Sequence, residues 1–185
     1  MKKLIDTLKN IWSIDELRKR ILFTLMLVLV YRAGCYITLP GINPNMLVLE
    51  GSQEGLLGLF NMFAGGAFSR ASVFALGVMP YISASIFMQL AGIVVPQIAK
   101  MQREDCGRRK INQYTRYLTV LVTVFQASAY VAYLRTQSGT AIVPEFSAFL
   151  FWLSTVVVLT AGTLFVMWMG EKITDKGIGN GTSLI

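Results

Sequence analysis

Apolar residues in this chain are gathered into long blocks, with polar and charged positions confined to the stretches between them. Four blocks, Ile21 to Leu39, Ser72 to Val95, Tyr117 to Leu134 and Ala148 to Gly170, approach the ~20 helical residues that cross the roughly 30 Å hydrocarbon core of a bilayer. They predict an all-α, polytopic membrane protein with transmembrane helices over 21–39, 72–95, 117–134 and 148–170. Ahead of the first, Leu4, Leu8 and Ile11 recur at helical spacing while Lys2, Lys3 and Lys9 lie off that stripe, which describes a short interfacial helix within residues 1–20. Ser13 with Glu16 three residues later makes a Ser-x-x-Glu capping box, predicting that a new helix begins there and turns into the bilayer. A fifth apolar stretch, Gly55 to Ser69, is rich in Phe but shorter than a span and broken by Gly65-Gly66. A short re-entrant helix fits it, because such a segment is tolerated where protein or a water-filled cavity shields its ends.

Lys and Arg set the orientation, since short loops rich in them stay in the cytoplasm. Lys2, Lys3, Lys9, Arg18, Lys19 and Arg20 precede the first span, and Lys100, Arg103, Arg108, Arg109, Lys110 and Arg116 fill the loop at 96–116. The alternate loops, including 135–147, carry Arg70 and Arg135. The amino terminus and the 96–116 loop are therefore expected in the cytoplasm, to which residues 171–185, with Lys172 and Lys176, return. Treating Gly55 to Ser69 as a span would invert every later loop.

Composition agrees. Hydrophobic residues make up 54% and charged residues 15%, well below the ~25% charged of an ordinary soluble domain. The net charge of +7 tracks the ends of apolar blocks rather than one stripe of a soluble module, which speaks against a nucleic-acid binder. A basic start before an apolar stretch also resembles a secretory signal, but this stretch is long, contains Arg32 and ends in Pro40-Gly41 without a small-residue cleavage pattern. There is no His, and Cys35 and Cys106 are expected on different sides of the membrane, so neither a disulfide framework nor a Cys/His metal site is expected.

The spans hold a single charge, Arg32, which speaks against proton relays, ion pathways and intramembrane catalysis. Arg32 itself either snorkels toward an interface or a neighbouring carbonyl, or serves the function directly. In the second span Pro80 interrupts the helix, and Val78, Ile82, Ser85 and Gln89 fall on one stripe at i, i+4, i+7 and i+11, with Ser83 about 100° away. That stripe is apolar at one half and polar toward the cytoplasm. It suits either ordinary helix packing or the lining of an hourglass pore whose aliphatic waist excludes ions by dewetting. In the third span Gln126, Ser128 and Ala132 suit close helix approach. The run Gly107-Arg108-Arg109-Lys110 suits lipid headgroups, a topology anchor or an acidic partner.

Local motifs go further than periodicity. Phe60-Asn-Met-Phe63-Ala-Gly65-Gly66-Ala-Phe-Ser-Arg70, Phe74-Ala-Leu-Gly-Val-Met-Pro80-Tyr-Ile-Ser-Ala-Ser85, Gly107-Arg-Arg-Lys-Ile-Asn-Gln-Tyr-Thr-Arg-Tyr117 and Gly170-Glu-Lys-Ile-Thr-Asp-Lys-Gly-Ile-Gly-Asn-Gly181 occur in that order. Together they resemble the plug, second span and cytoplasmic loops of the bacterial SecY family. The resemblance implies the amino-terminal half of a ten-helix channel in the plasma membrane, clamped by SecE and accompanied by SecG. It implies driving partners, SecA or the ribosome, and a passive conduit with no catalytic residue and no cofactor. On this sequence 55–69 looks like the plug, with Phe60, Phe63, Gly65 and Gly66 in it. Val78 and Ile82 match pore-ring positions, Val78 being smaller than the usual Ile. Ser83 and Gln126 look like lateral-gate positions, and Arg108, Arg109 and Lys110 form the basic cytoplasmic loop. The fifth span is expected to begin near Ile185. Two other functions stay open: a small-solute transporter on broken helices, for which Pro80 and the short 55–69 segment speak, and a membrane protein that is itself an insertion substrate.

Overall fold

The computed structural model describes residues 12–43, 45, 47, 55–137, 142 and 147–185. The interfacial helix expected within 1–20 falls largely on residues outside these, as do most of the 135–147 loop and the side chain of Phe60. Among the described residues seven helices follow one another: α1 Asp15–Gly34, α2 Gly55–Phe63, α3 Met79–Val94, α4 Pro96–Arg103, α5 Asp105–Gln137, α6 Ala148–Lys176 and α7 Gly181–Leu184. No strand is present among the described residues, only isolated bridges between Thr38 and Ser72 and between Ile42 and Ile142.

α1 carries Asp15 and Glu16 in its first turn and Arg32 in its last, complementing the helix dipole. Its N-cap is Ile14, one residue beyond the Ser13 of the expected Ser13/Glu16 box. Extended backbone at Ile14 takes the cap position. α1 also stops at Gly34, short of the expected Leu39. Beyond it the chain turns and pairs laterally, the Leu39 N–H donating to the Ala71 carbonyl at 2.9 Å and the Val73 N–H to the Ile37 carbonyl at 2.9 Å.

Helix starts and stops elsewhere follow local chemistry. α3 begins at Met79 rather than at Ser72, and Pro80 lies in its first turn, where its missing N–H costs no intrahelical bond. Proline thus opens this helix instead of interrupting it. Val95 is extended (φ −106°, ψ 110°), as a residue preceding proline prefers, and the chain bends there by 110° into α4. Much of the loop expected at 96–116 is consequently helical, as α4 and the first turns of α5. Ser147 caps α6, its Oγ accepting from the Leu150 N–H at 3.3 Å. Among the described residues two helices, Cys106–Thr136 and Ala148–Lys176, are long and apolar enough to cross a membrane, and the bent pair α3–α4 makes a third if it counts as one span. α1 is 20 residues long but is not one of these, because Asp15, Glu16, Arg18, Lys19, Arg20 and Arg32 charge both its ends.

The core forms where α1, α5 and α6 enclose the non-helical stretch between α2 and α3. Ala64, Ala67, Phe68, Ala71, Phe74, Ala75 and Val78 from that stretch are all buried. So are Tyr31 on α1, Ala127, Tyr130, Val131 and Leu134 on α5, and Phe151, Leu159 and Val166 on α6. Phe74 stacks on Tyr31 (centroids 5.7 Å) and on Phe165 (6.0 Å), while Phe68 packs on Tyr130 (4.8 Å) and Tyr133 (5.8 Å).

Candidate functional site

Irregular backbone buried among apolar helices must find its own hydrogen bonds. The stretch between α2 and α3 does so by consecutive tight turns: Ala67 N–H to the Ala64 carbonyl, Ala71 to Phe68, Ala75 to Ser72, Gly77 to Phe74 and Met79 to Leu76. Carbonyls of this stretch are also met by side chains from distant helices. The Tyr130 hydroxyl donates to the Phe68 carbonyl at 2.7 Å, the Arg32 guanidinium to Gly65 at 3.3 Å and the Tyr31 hydroxyl to Ala64 at 3.5 Å. Gly65 and Gly66 adopt φ of +60° and +83°, the left-handed conformation in which a side chain is strained. Phe63, the last residue of α2, is exposed, whereas Ala64 is buried.

The α3 stripe runs from this buried region to a polar end. Val78 is 8% exposed and belongs to the core, while Ile82, whose N–H donates to the Val78 carbonyl at 3.0 Å, is 36% exposed. Farther along the helix, the Gln89 amide donates to the Ser85 hydroxyl at 3.4 Å, so the polar half of the stripe holds together as one face. Ser85 and Gln89 line a cavity of about 660 Å³ with Asn112 and Thr115 from α5 and Glu171 and Asp175 from α6. Arg116 closes on Glu171 through two bonds, Nε to Oε1 at 3.2 Å and Nη2 to Oε2 at 2.6 Å. This geometry joins the start of α5 to the end of α6 by a forked pair.

The two expected gate residues are placed differently. Gln126 lines a second, apolar cavity of about 220 Å³ with Phe68, Ala75, Met79, Tyr130 and Tyr133. Ser83 is exposed and donates to its own helix, at the Met79 carbonyl (3.0 Å). Ser128 likewise donates to Val124 at 2.9 Å, and Ala132 is exposed; the packed face of α5 instead carries Thr119, Thr123, Ala127 and Tyr130. Arg108, Arg109 and Lys110 are exposed near the start of α5.

Sequence reasoning missed Tyr31, Tyr130 and the Arg116–Glu171 pair. A signal existed for each. A tyrosine inside an apolar block must find a partner for its hydroxyl when buried, and opposite charges at the same-side ends of two antiparallel spans are natural partners.

The SecY family model matches residues 72–185, a range that contains α3 to α7 and both cavity-lining faces of α3 and α5. The chain belongs to the SecY family. Similar relatives are the protein translocase subunits SecY of Buchnera aphidicola subsp. Acyrthosiphon kondoi, of Escherichia coli strain K12 and of Aquifex aeolicus strain VF5. The first is 46% identical over 176 residues, covering 94% of this chain and 49% of the relative. The second is 46% identical over 176 residues, covering 94% and 40%. The third is 44% identical over 186 residues, covering 97% and 43%. The chain thus spans less than half the length of these SecY relatives.

Proposed function

We propose that this chain forms the amino-terminal half of the central subunit of a Sec-type protein-conducting channel in the bacterial plasma membrane. In that role it passes unfolded secretory proteins across the membrane and releases membrane proteins sideways. Four spans, with α1 in the first and residues 72–95 as the second, would surround α2 as the plug, α4 lying in the cytoplasmic loop at 96–116 and the amino terminus facing the cytoplasm. The carboxy-terminal half of the channel, with SecE and SecG, completes the wall, and SecA or the ribosome supplies the driving force. Val78 and Ile82 contribute to the pore ring, Gly65 and Gly66 give the plug its pivot, Ser83 and Gln126 face the lateral gate, and Arg108, Arg109 and Lys110 meet the cytoplasmic partners.

One observation carries this function: the α3 stripe passes from aliphatic Val78 and Ile82 to Ser85 and Gln89, which open on the 660 Å³ polar cavity. A polypeptide entering from the cytoplasm needs a wet funnel followed by a dry waist, since an aliphatic constriction dewets against ions without binding the passing chain. Site-specific photo-crosslinking tests it. A probe at Ile82, in membranes containing the complete channel and a stalled secretory chain, is expected to label that chain, while a probe at Phe149, exposed on α6, labels lipid. Labelling of the stalled chain at neither position, with lipid labelled at both, would remove this chain from the polypeptide path.

A further inference from the structure

The boundary between loosely and tightly packed chain falls at the end of α2. Leu59, Met62 and Phe63 are 52%, 78% and 59% exposed, whereas Ala64, Ala67 and Phe68 are 2%, 0% and 7% exposed. The left-handed glycines, Gly65 and Gly66, stand at this boundary. Asn61, in the last turn of α2, ties the helix to the turns beyond it: its carbonyl accepts from the Gly66 N–H at 2.9 Å and its Oδ1 from the Ser69 N–H at 3.1 Å. Three side chains from two other helices then reach carbonyls within five residues of one another, at Ala64, Gly65 and Phe68.

We infer that Arg32, with Tyr31 and Tyr130, is a latch that holds the Ala64–Phe68 hinge and so sets how readily the short helix α2 leaves its place. This inference rests on the channel function proposed above. Arg32 is central for an electrostatic reason. It is the one cation within the apolar blocks, and although its side chain is exposed it reaches the Gly65 carbonyl, the group that must be released for the hinge to move. A charge-assisted donor also outweighs a neutral one at equal geometry. A Cβ at Gly65 would lie 2.7 Å from Arg32 Nη1 and would be strained at φ +60°, so a side chain there would displace the guanidinium from its place over the carbonyl. Tyr130 makes the shortest of the three bonds from a buried ring already packed on Phe68, and anchors the far side of the hinge. Displacing α2 by rotation at Gly65 and Gly66 therefore breaks the Arg32 bond together with the Asn61 ties and leaves the Tyr130 anchor in place. Arg32, Tyr31 and Tyr130 act as positioning residues, touching the plug hinge and not the transported chain.

The test uses a full-length channel in which residues 1–185 replace the matching part of the Escherichia coli subunit, reconstituted in proteoliposomes with its partner subunits. Three quantities are read: amide hydrogen exchange across 61–72, ion leak without substrate, and transport of a secretory precursor. Arg32→Leu is expected to raise exchange and leak by roughly 3- to 20-fold, the equivalent of one interhelical hydrogen bond in a membrane, while transport persists. Arg32→Lys gives an intermediate rise, since it keeps the charge but loses the reach and planarity of the guanidinium, and Tyr130→Phe raises exchange around Phe68. A purely structural role would instead lower transport along with stability. Unchanged exchange and leak in both Arg32→Leu and Tyr130→Phe, in a chimera that transports normally, overturns the latch and leaves the channel function standing. An unsubstituted chimera that folds, assembles and transports nothing overturns the channel function on which the latch rests.

Discussion

Replacing Gly34 by alanine would put a methyl group into the ring of Phe74. A Cβ at that position overlaps Phe74 Cε2 and lies 2.6 Å from Cδ2 and 2.8 Å from Cζ. The ring has nowhere to swing, because Tyr31 stacks on it at 5.7 Å and Phe165 at 6.0 Å. Overpacking of this kind costs ~1–3 kcal/mol. Gly34 is the last residue of α1, so the alanine recovers little of the ~1 kcal/mol by which alanine is preferred over glycine in a helix interior, and a net loss of about 2 kcal/mol is expected. Phe74→Leu alone costs about 1 kcal/mol as a modest change of volume, but it removes the ring atoms that the new methyl meets. The double variant is therefore expected to be about 1 kcal/mol more stable than the two single costs would give together. Gly162→Ala is the control. Its Cβ overlaps the Val73 carbonyl oxygen, a backbone atom that trimming Phe74 does not remove, and Phe74→Leu should rescue it poorly. Unfolding of the reconstituted protein by denaturing detergent in mixed micelles measures each single variant and both pairs. Additivity of Gly34→Ala and Phe74→Leu within ~0.5 kcal/mol would refute the wedge of Phe74 between α1 and α6.

Cys106 is exposed near the start of α5 and Cys35 is 1% exposed in the core. A membrane-impermeant maleimide should label Cys106 in inverted vesicles and not in intact spheroplasts, with Cys35 unlabelled until denaturation; labelling from the outside would reverse the proposed orientation. The Arg116–Glu171 pair has side chains 51% and 28% exposed, so solvent screening limits its worth despite the forked geometry. A double-mutant cycle should give a coupling of about 0.5–1 kcal/mol that shrinks with salt, and zero coupling at low salt would show that the pair does not join α5 to α6.

Much of the helical architecture was legible in the sequence because hydrophobic block length is a one-dimensional property. The blocks at 117–134 and 148–170 both lie inside observed helices, and the i, i+4 spacing of Ser85 and Gln89 became a hydrogen bond as the period of the helix requires. Boundaries were less legible. Pro80 reads as an interruption until it is clear that the helix starts at Met79, and Ser13 reads as a cap until Ile14 takes that position.

What only the tertiary structure decided is the conformation of residues 64–78. Ala, Gly, Phe and Val in that stretch satisfy the hydrophobic requirement of a span equally well as helix or as buried turns. The outcome depends on whether something else meets the backbone groups that a helix would have paired internally. Here Arg32 and Tyr31, over thirty residues away in sequence, and Tyr130, over sixty away, supply those partners, while Ile37 and Leu39 pair laterally with Val73 and Ala71. Residue type announces that Arg32 needs a partner; only the packing of α1 and α5 around one hinge brings the Gly65 carbonyl to it.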